Sequence, residues 1–141
     1  MPNLNPDIVK TVAQWLTFAD EDLKIACDAM SYGAGGPYRL IACHAQQCAE
    51  KCLKAYLVFH SEDFPYTHNI RRLLKLCGKH ATWPHSLKDA EELTPYAITT
   101  RYPGEDREVT ETEATSAVEI ARRVRDQVRT ELKLLGMELT E

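Results

Sequence analysis

Four polar side chains whose chemistry suits a phosphate group lie close together in the chain, between His44 and Lys54. Histidine exchanges a proton near neutral pH, and lysine attracts the negative charge of phosphate oxygens. On a helix, Gln47, Lys51 and Lys54 fall within about 80° of His44 around the axis. The spacing therefore predicts a polar edge, with His44 at the boundary of the core, where Lys51 and Lys54 either hold phosphate or only solvate an exposed helix face. The apolar side of the same helix carries Ile41, Cys48, Cys52, Ala55 and Phe59.

Asp22 is a candidate partner for His44, because it borders the apolar stripe of the preceding helix. A carboxylate beside an imidazole holds the ring in one orientation, which serves a catalytic and a structural histidine equally well. Two interpretations of His44 therefore stay open: a residue of a functional site, or a boundary residue that bonds only to its neighbouring helix. Asp22 itself is either that orienting acid or a solvated charge.

Apolar residues recur at steps of three and four along the chain, which predicts helices and no strand. Five helices are expected, near residues 7–31, 37–61, 68–80, 84–100 and 110–136. Thr67 is expected to cap the third helix, and Thr110 with Glu113 predicts a capping box for the fifth. Because the connections are short, we expect an all-α, up-and-down helical bundle.

Length and composition are typical of one domain spanning residues 1–141, with 44% hydrophobic and 27% charged residues. No apolar run approaches the roughly 18 residues that cross a bilayer. The N-terminal sequence lacks the basic and apolar regions of a signal peptide, so a cytoplasmic protein that contacts no membrane is expected. Since the net charge is −4, any binding of nucleic acid must come from a local basic surface.

The five cysteines raise the question of a metal site. His44, Cys48 and Cys52 follow one another at four-residue steps, so a zinc site completed by Cys77 is geometrically conceivable. The sequence has neither a Cys-x-x-Cys pair nor a His-x-x-x-His pair. We therefore expect reduced, mostly buried thiols that pack between helices, and neither a metal nor another cofactor.

A basic stripe runs along the last expected helix, and its chemistry would suit nucleic acid or a protein partner. Acidic neighbours at helical spacing can pair with the stripe. We favour this second interpretation, an ordinary helix face of paired charges. The basic residues are Arg122, Arg125, Arg129 and Lys133, and the acidic neighbours are Glu119, Asp126 and Glu131.

Residues 44–55, H-A-Q-Q-C-A-E-K-C-L-K-A, resemble the signature helix of HEPN domains, the higher eukaryotes and prokaryotes nucleotide-binding family. Three further segments are similar to other motifs of that family, in the same order, so that the resemblance covers residues 12 to 103. It implies a helical bundle that commonly forms a homodimer. The three segments are Trp15-Leu16 followed by Ala19, Asp22-Leu23 and Ala26; Thr67-His68-Asn69-Ile70 followed by Leu73-Leu74; and Arg101-Tyr102-Pro103.

The resemblance also implies an activity, metal-independent cleavage of RNA by an arginine and a histidine that follows it four to six residues later. Histidine moves the proton of the ribose 2′-OH, and arginine stabilises the charge of the phosphate in the transition state. Arg39 and His44 have the spacing, but five residues separate their side chains by about 140° on one helix. At the later position of the motif, this sequence has Arg101 with no histidine within reach, so Arg101 would meet His44 only through folding or across two subunits. An arginine in this Pro-Gly turn is equally well placed to cap the carbonyls of the fourth helix.

Three functions are therefore expected, in this order. The first is a nucleotide- or RNA-binding component of a toxin–antitoxin type of pair, whose partner is a separately encoded minimal nucleotidyltransferase. Its binding surface would use Gln47, Lys51, Lys54 and Asp22. The second is a ribonuclease toxin that uses His44 with Arg101 or Arg39, and the third is a purely structural helical dimer.

Overall fold

The computed structural model describes residues 4–97 and 108–140, and over these ranges the chain is helical with no strand. Its long helix α2 packs against all the other helical segments, so α2 forms the centre of the bundle. The expectation of an all-α bundle of five helices is confirmed. The segments are α1 Pro6–Met30, α2 Tyr38–Phe59, α3 Ile70–Cys77, a 3₁₀ helix His85–Tyr96, and α4 Glu111–Leu134.

Alanines bring α1 and α2 close together. Ala19 and Ala26 of α1 are fully buried, as are Ala45 and Ala49 of α2. Since the side chains at a contact set the distance between two helix axes, small residues let the helices approach closely. Short polar side chains at the edge of this contact can then reach from one helix to the other.

Side-chain caps bind backbone N–H groups at the N-terminal ends of α3 and α4. The expected capping box is confirmed, because Thr110 accepts from the Glu113 backbone N–H and Glu113 accepts from the Thr110 backbone N–H. For α3 the expectation was wrong: Asn69 is the cap and accepts from the Arg72 backbone N–H at 3.2 Å. Thr67 instead accepts from the Asn69 backbone N–H, so it orders the turn before the helix.

The fourth segment is a 3₁₀ helix, His85–Tyr96, where the sequence predicted a helix near 84–100 without its type. Its buried residues, Leu87, Ala90 and Leu93, lie three apart, which matches the three residues per turn of a 3₁₀ helix. Pro95 lies inside the last turn, where it has no N–H to donate to an α-helical bond. Residues 98–100 lie outside the described ranges.

The basic stripe of α4 serves largely to hold α4 on α1. Arg125 donates to Asp20 of α1 at 2.7 Å and also bonds Asp126 at 3.1 Å. The bond to Asp20 raises the pKa of Arg125 above its usual value, against the opposing effect of burial. Arg129 is buried, bonds the backbone oxygen of Thr140 and lies 3.7 Å from Asp20. These pairs agree with the interpretation of the stripe as a helix face of paired charges. The main acidic partner is Asp20 of α1, and not an acidic neighbour on α4.

A stacked pair of histidines lies at the end of α2. The His60 and His80 rings are parallel within 9° with centroids 4.1 Å apart, and Tyr56 packs edge-on against His60. His80 bonds Glu62 at 3.1 Å, and Lys79 lies 3.6 Å from the same carboxylate. Burial and the neighbouring His80 lower the pKa of His60, while Glu62 opposes them.

This arrangement predicts a loss of stability in mild acid. Because the pKa of His60 is lower in the folded chain, the unfolded chain takes up its proton first as the pH falls through about 6.5. The contribution of His60 is therefore complete above that pH and decreases below it. We expect the free energy of unfolding, measured with urea at pH 7.5 and pH 5.5, to fall less in His60→Phe than in the wild type. Equal losses in the two proteins would refute this role of His60.

Candidate functional site

Asp22 joins α1 to the polar edge of α2. One carboxylate oxygen accepts from His44 Nδ1 at 2.8 Å, and the other lies 2.5 Å from Lys51 Nζ. Asp22 is nearly buried, whereas about a third of the His44 side chain and a quarter of the Lys51 side chain are exposed. Gln47 lies between them along the helix and is half-buried. We call Asp22, His44, Gln47 and Lys51 the edge site.

The bond to Asp22 determines which nitrogen of His44 faces a ligand. Because a carboxylate only accepts, Nδ1 carries the hydrogen and the second nitrogen, Nε2, has the lone pair of the neutral ring. Nε2 has no hydrogen-bond partner within residues 4–97 and 108–140, and it is not among the buried unpaired atoms. His44 can therefore accept a proton from, or donate one to, a group outside the protein.

A cavity of about 550 Å³ adjoins the edge site on the α1 side. Its volume lies within the range of small-molecule sites. Two apolar side chains at its rim, Phe18 and Ile25, are each 51% exposed. The edge site thus combines charged groups with an accessible apolar border. Phe18, Glu21, Asp22, Lys24, Ile25 and Lys51 line the cavity.

A second network lies behind the edge site, in the interior. Glu50 accepts from His68 Nδ1 at 2.7 Å and from Gln46 at 3.0 Å, and its other oxygen lies 3.0 Å from Lys54 Nζ. Gln47 donates to Gln46 at 2.6 Å, which connects this network to the edge site. We call Gln46, Glu50, Lys54 and His68 the interior network. In the sequence, Gln46, Glu50 and His68 stood out only as members of the family-like segments, although Gln46, Glu50 and Lys54 recur at four-residue steps.

Lys54 was expected on the phosphate-binding edge, but it lies inside the protein. Only 5% of the residue is exposed, and its Nζ lies 5.7–5.8 Å from the ring centroids of Trp15, Phe64 and Tyr66. These cation–π contacts and the bond to Glu50 satisfy its charge. The geometry therefore leaves His44, Gln47 and Lys51, but not Lys54, within reach of a ligand.

Arg39, one of the two candidate arginines, does not join the edge site. Arg39 is exposed in the first turn of α2, and the described part of the chain shows no hydrogen bond between Arg39 and His44, as the angle between their positions predicts. Arg101, the other expected phosphate clamp, lies outside the described residues. Asp22 is instead the residue that contacts His44 directly, and the sequence offered it as a candidate.

The cysteines are free thiols, as expected, with Cys27 half-buried and the other four buried. A hydrogen bond with Cys52, together with burial, raises the pKa of Cys48, and burial raises the pKa of Cys77 to about 12. Both effects disfavour the thiolate that binds metals. Within the described part of the chain, no three His, Cys, Asp or Glu side chains are grouped to hold a metal ion.

We therefore expect one rapidly reacting thiol in the folded protein. Cys27 is the most accessible cysteine, although Arg122 contacts its sulfur at 2.9 Å. An aromatic disulfide reagent at pH 8 should label one thiol quickly, and all five after unfolding in guanidinium. The Cys27→Ser variant should lose the rapid phase. Rapid labelling of two or more thiols in the folded wild type would contradict the burial of the other four.

Comparisons with known proteins agree with the helical fold. A model of the HEPN domain matches residues 12–131. The chain is similar to the crystal structure of TT1696 from Thermus thermophilus, with 27% identity, a TM-score of 0.73, and coverage of 84% of this chain and 96% of that one. It is also similar to the crystal structure of ST0689, an archaeal HEPN homologue, with 29% identity, a TM-score of 0.66, and coverage of 85% and 96%. No curated protein matches the chain.

Proposed function

The chain belongs to the HEPN domain family, and from this premise we propose that it binds nucleotide or RNA phosphates at the edge site. In this proposal it is the cytoplasmic binding component of a toxin–antitoxin type of pair with a separately encoded minimal nucleotidyltransferase. The observation that carries the proposal is the network of Asp22 with His44 and Lys51, which places two nitrogen groups at an accessible surface. The proposal extends to a homodimer, the common assembly of the family.

Hydrogen-bond donors at the edge site support phosphate binding. Asp22 neutralises Lys51 in the free protein and also holds His44. A phosphate can accept from Lys51, from the Gln47 amide and from a protonated His44. These donors face one ligand from a single helix edge, so the ligand needs no rearrangement of α2.

Exposed apolar side chains beside the edge site support a protein partner. Phe18 and Ile25 border the cavity, and Leu40, 41% exposed, lies one helical turn before His44. Exposed apolar side chains that lie together beside polar groups are typical of surfaces that bind another protein. A partner that covers them would also cover His44 and Lys51.

The pairing is tested by searching beside this gene for one that encodes a nucleotidyltransferase and by coexpressing the two proteins. Coexpression should give a complex of the two proteins in gel filtration. Leu134→Asp is the control and should leave the complex intact, because Leu134 is 76% exposed on α4 and does not line the cavity beside the edge site. Phe18→Asp with Ile25→Asp should abolish the complex. If no such gene is adjacent, or if the two proteins elute separately, the pairing is refuted. Analytical ultracentrifugation of this chain alone tests the homodimer.

Binding at the edge site is tested with a short single-stranded RNA in EDTA. Lys51→Ala removes the main cation of the site, so affinity should fall by about tenfold. The control, Lys10→Ala, removes an exposed lysine of α1 away from the site and should bind as the wild type does. Equal affinity of all three proteins would refute the edge site as the phosphate site.

A second candidate function, metal-independent RNA cleavage, is favoured by one observation: Asp22 orients His44 and leaves Nε2 unpaired among the described residues. Purified protein would then cleave mixed cellular RNA in EDTA, and His44→Ala would abolish cleavage. Arg39→Ala and Arg101→Ala would identify the phosphate clamp. If His44→Ala instead lowers only the thermal stability, the third expectation, a purely structural dimer, is favoured.

A further inference from the structure

A groove with a basic lining lies between α3 and the 3₁₀ helix, and none of its residues belongs to the edge site. Its volume is about 650 Å³, which suits a ligand of nucleotide size. Arg71 and Lys75, one turn apart on α3, lie on one side of it, and His85 and Lys88 on the other. We call this the α3 groove.

The basic groups of the α3 groove are exposed. Arg71, Lys75 and Lys88 make no ion pair within residues 4–97 and 108–140. Glu91 is the one acidic residue that lines the groove in this part of the chain. On a protein whose net charge is −4, such a local excess of positive charge favours an anionic ligand.

A fixed aromatic wall adds a second kind of contact. The Trp83 indole lines the groove, donates from Nε1 to the Cys77 backbone oxygen at 3.0 Å, and packs edge-on against Tyr56 with ring centroids 4.7 Å apart. The hydrogen bond and the ring contact hold the indole in place without a ligand. Aromatic side chains beside cationic ones are the usual surroundings of a base and its phosphates.

We propose that the α3 groove is a second binding site, which holds the phosphates of a nucleotide between Arg71, Lys75 and Lys88 and its base against Trp83. The nucleotide is either free or part of an RNA chain, since both present the same chemistry. This inference does not depend on the edge site or on a nucleotidyltransferase.

Calorimetric titration with ADP and with a short single-stranded RNA, both in EDTA, tests the groove. Arg71→Ala with Lys75→Ala should weaken binding by at least about tenfold. Glu91→Gln should tighten it, because it removes the negative charge that faces the ligand. The matched control, Arg72→Ala with Lys10→Ala, removes two exposed cations that do not line the groove and should leave binding unchanged. Circular dichroism confirms that each variant is folded.

The position of the ligand is read from the two tryptophan indole N–H signals in a ¹⁵N–¹H spectrum, assigned with Trp15→Phe. Binding in the groove should shift the Trp83 signal. Loss of ADP binding in Arg71→Ala with Lys75→Ala supports a free nucleotide, and loss of RNA binding alone supports an RNA chain. Absence of binding to both ligands, or equal binding by all variants, refutes the groove. Binding that is lost in Lys51→Ala and kept in the groove variant also refutes it, and assigns the ligand to the edge site.

Discussion

Glu50→Ala is expected to lower the free energy of unfolding by about 3–5 kcal/mol, because it removes one partner of a buried ion pair. The side chains of Glu50 and Lys54 are only 5% and 7% exposed, so water cannot replace the lost carboxylate. His68 Nδ1 and the Gln46 amide lose the same acceptor. Since the total stability of a domain is about 5–15 kcal/mol, this single change removes a large part of it.

Urea unfolding followed by circular dichroism measures this loss. The matched control is Asp28→Ala, which breaks an ion pair of the same four-residue spacing, Lys24–Asp28, whose side chains are 77% and 68% exposed. That variant should change stability by no more than about 0.5 kcal/mol. The two variants differ mainly in the burial of the pair they break.

A double variant separates the buried charge from the lost volume. In Glu50→Gln with Lys54→Met, both charges are absent, and the methionine side chain follows the path of the lysine stem between the aromatic rings. It should be more stable than Glu50→Gln alone, which leaves Lys54 buried and unpaired. If the double variant is the less stable of the two, the uncompensated charge of Lys54 is not the cause of the loss.

The long helices could be predicted because their signals are local. The apolar period of α1, α2 and α4 repeats over many turns, and the capping box of Thr110 and Glu113 involves residues three apart. The 3₁₀ helix could not be predicted in type. The spacing of Leu87, Ala90 and Leu93 is compatible with an α-helix and with a 3₁₀ helix. In the structure the segment packs against α2 and α3 as a 3₁₀ helix, and the sequence does not show this packing.

The interior network illustrates why the rest was not visible in the sequence. Glu50–Lys54 and Lys24–Asp28 have the same spacing, yet one pair is buried and the other exposed. Lys54 Nζ lies near the ring of Trp15 from α1 and near the rings of Phe64 and Tyr66 from the segment after α2. Such burial depends on tertiary packing, which helical periodicity does not encode.

The edge site was partly predictable for the opposite reason. His44, Gln47 and Lys51 share one helix edge, so their neighbourhood follows from helical geometry. Asp22 could be proposed as a partner because it borders the stripe that packs on α2, and the structure places it 2.8 Å from His44. The α3 groove needed the fold, since its cations come from two segments joined by a loop.

Asp22→Asn should separate the proposed functions by the direction of its effect. The amide oxygen of asparagine can still accept from His44 Nδ1, but the negative charge that neutralises Lys51 is lost. If the edge site only binds phosphate, the charge of Lys51 becomes available to the ligand. We then expect RNA affinity in EDTA to increase several-fold, about the effect of one hydrogen bond to a charged group. The affinity should also depend more strongly on salt concentration.

The same substitution should have the opposite effect on a nuclease. A catalytic His44 becomes positively charged as it takes up a proton, and Asp22 is the group that stabilises this charge. Cleavage of RNA would then fall on the order of 10²-fold or more, even where binding improves. Glu119→Gln, which removes one exposed acidic charge from α4, controls for net charge and should change neither quantity. If Asp22→Asn lowers thermal stability but leaves both binding and cleavage unchanged, Asp22, His44 and Lys51 serve to pack α1 on α2, and the edge site is not a phosphate site.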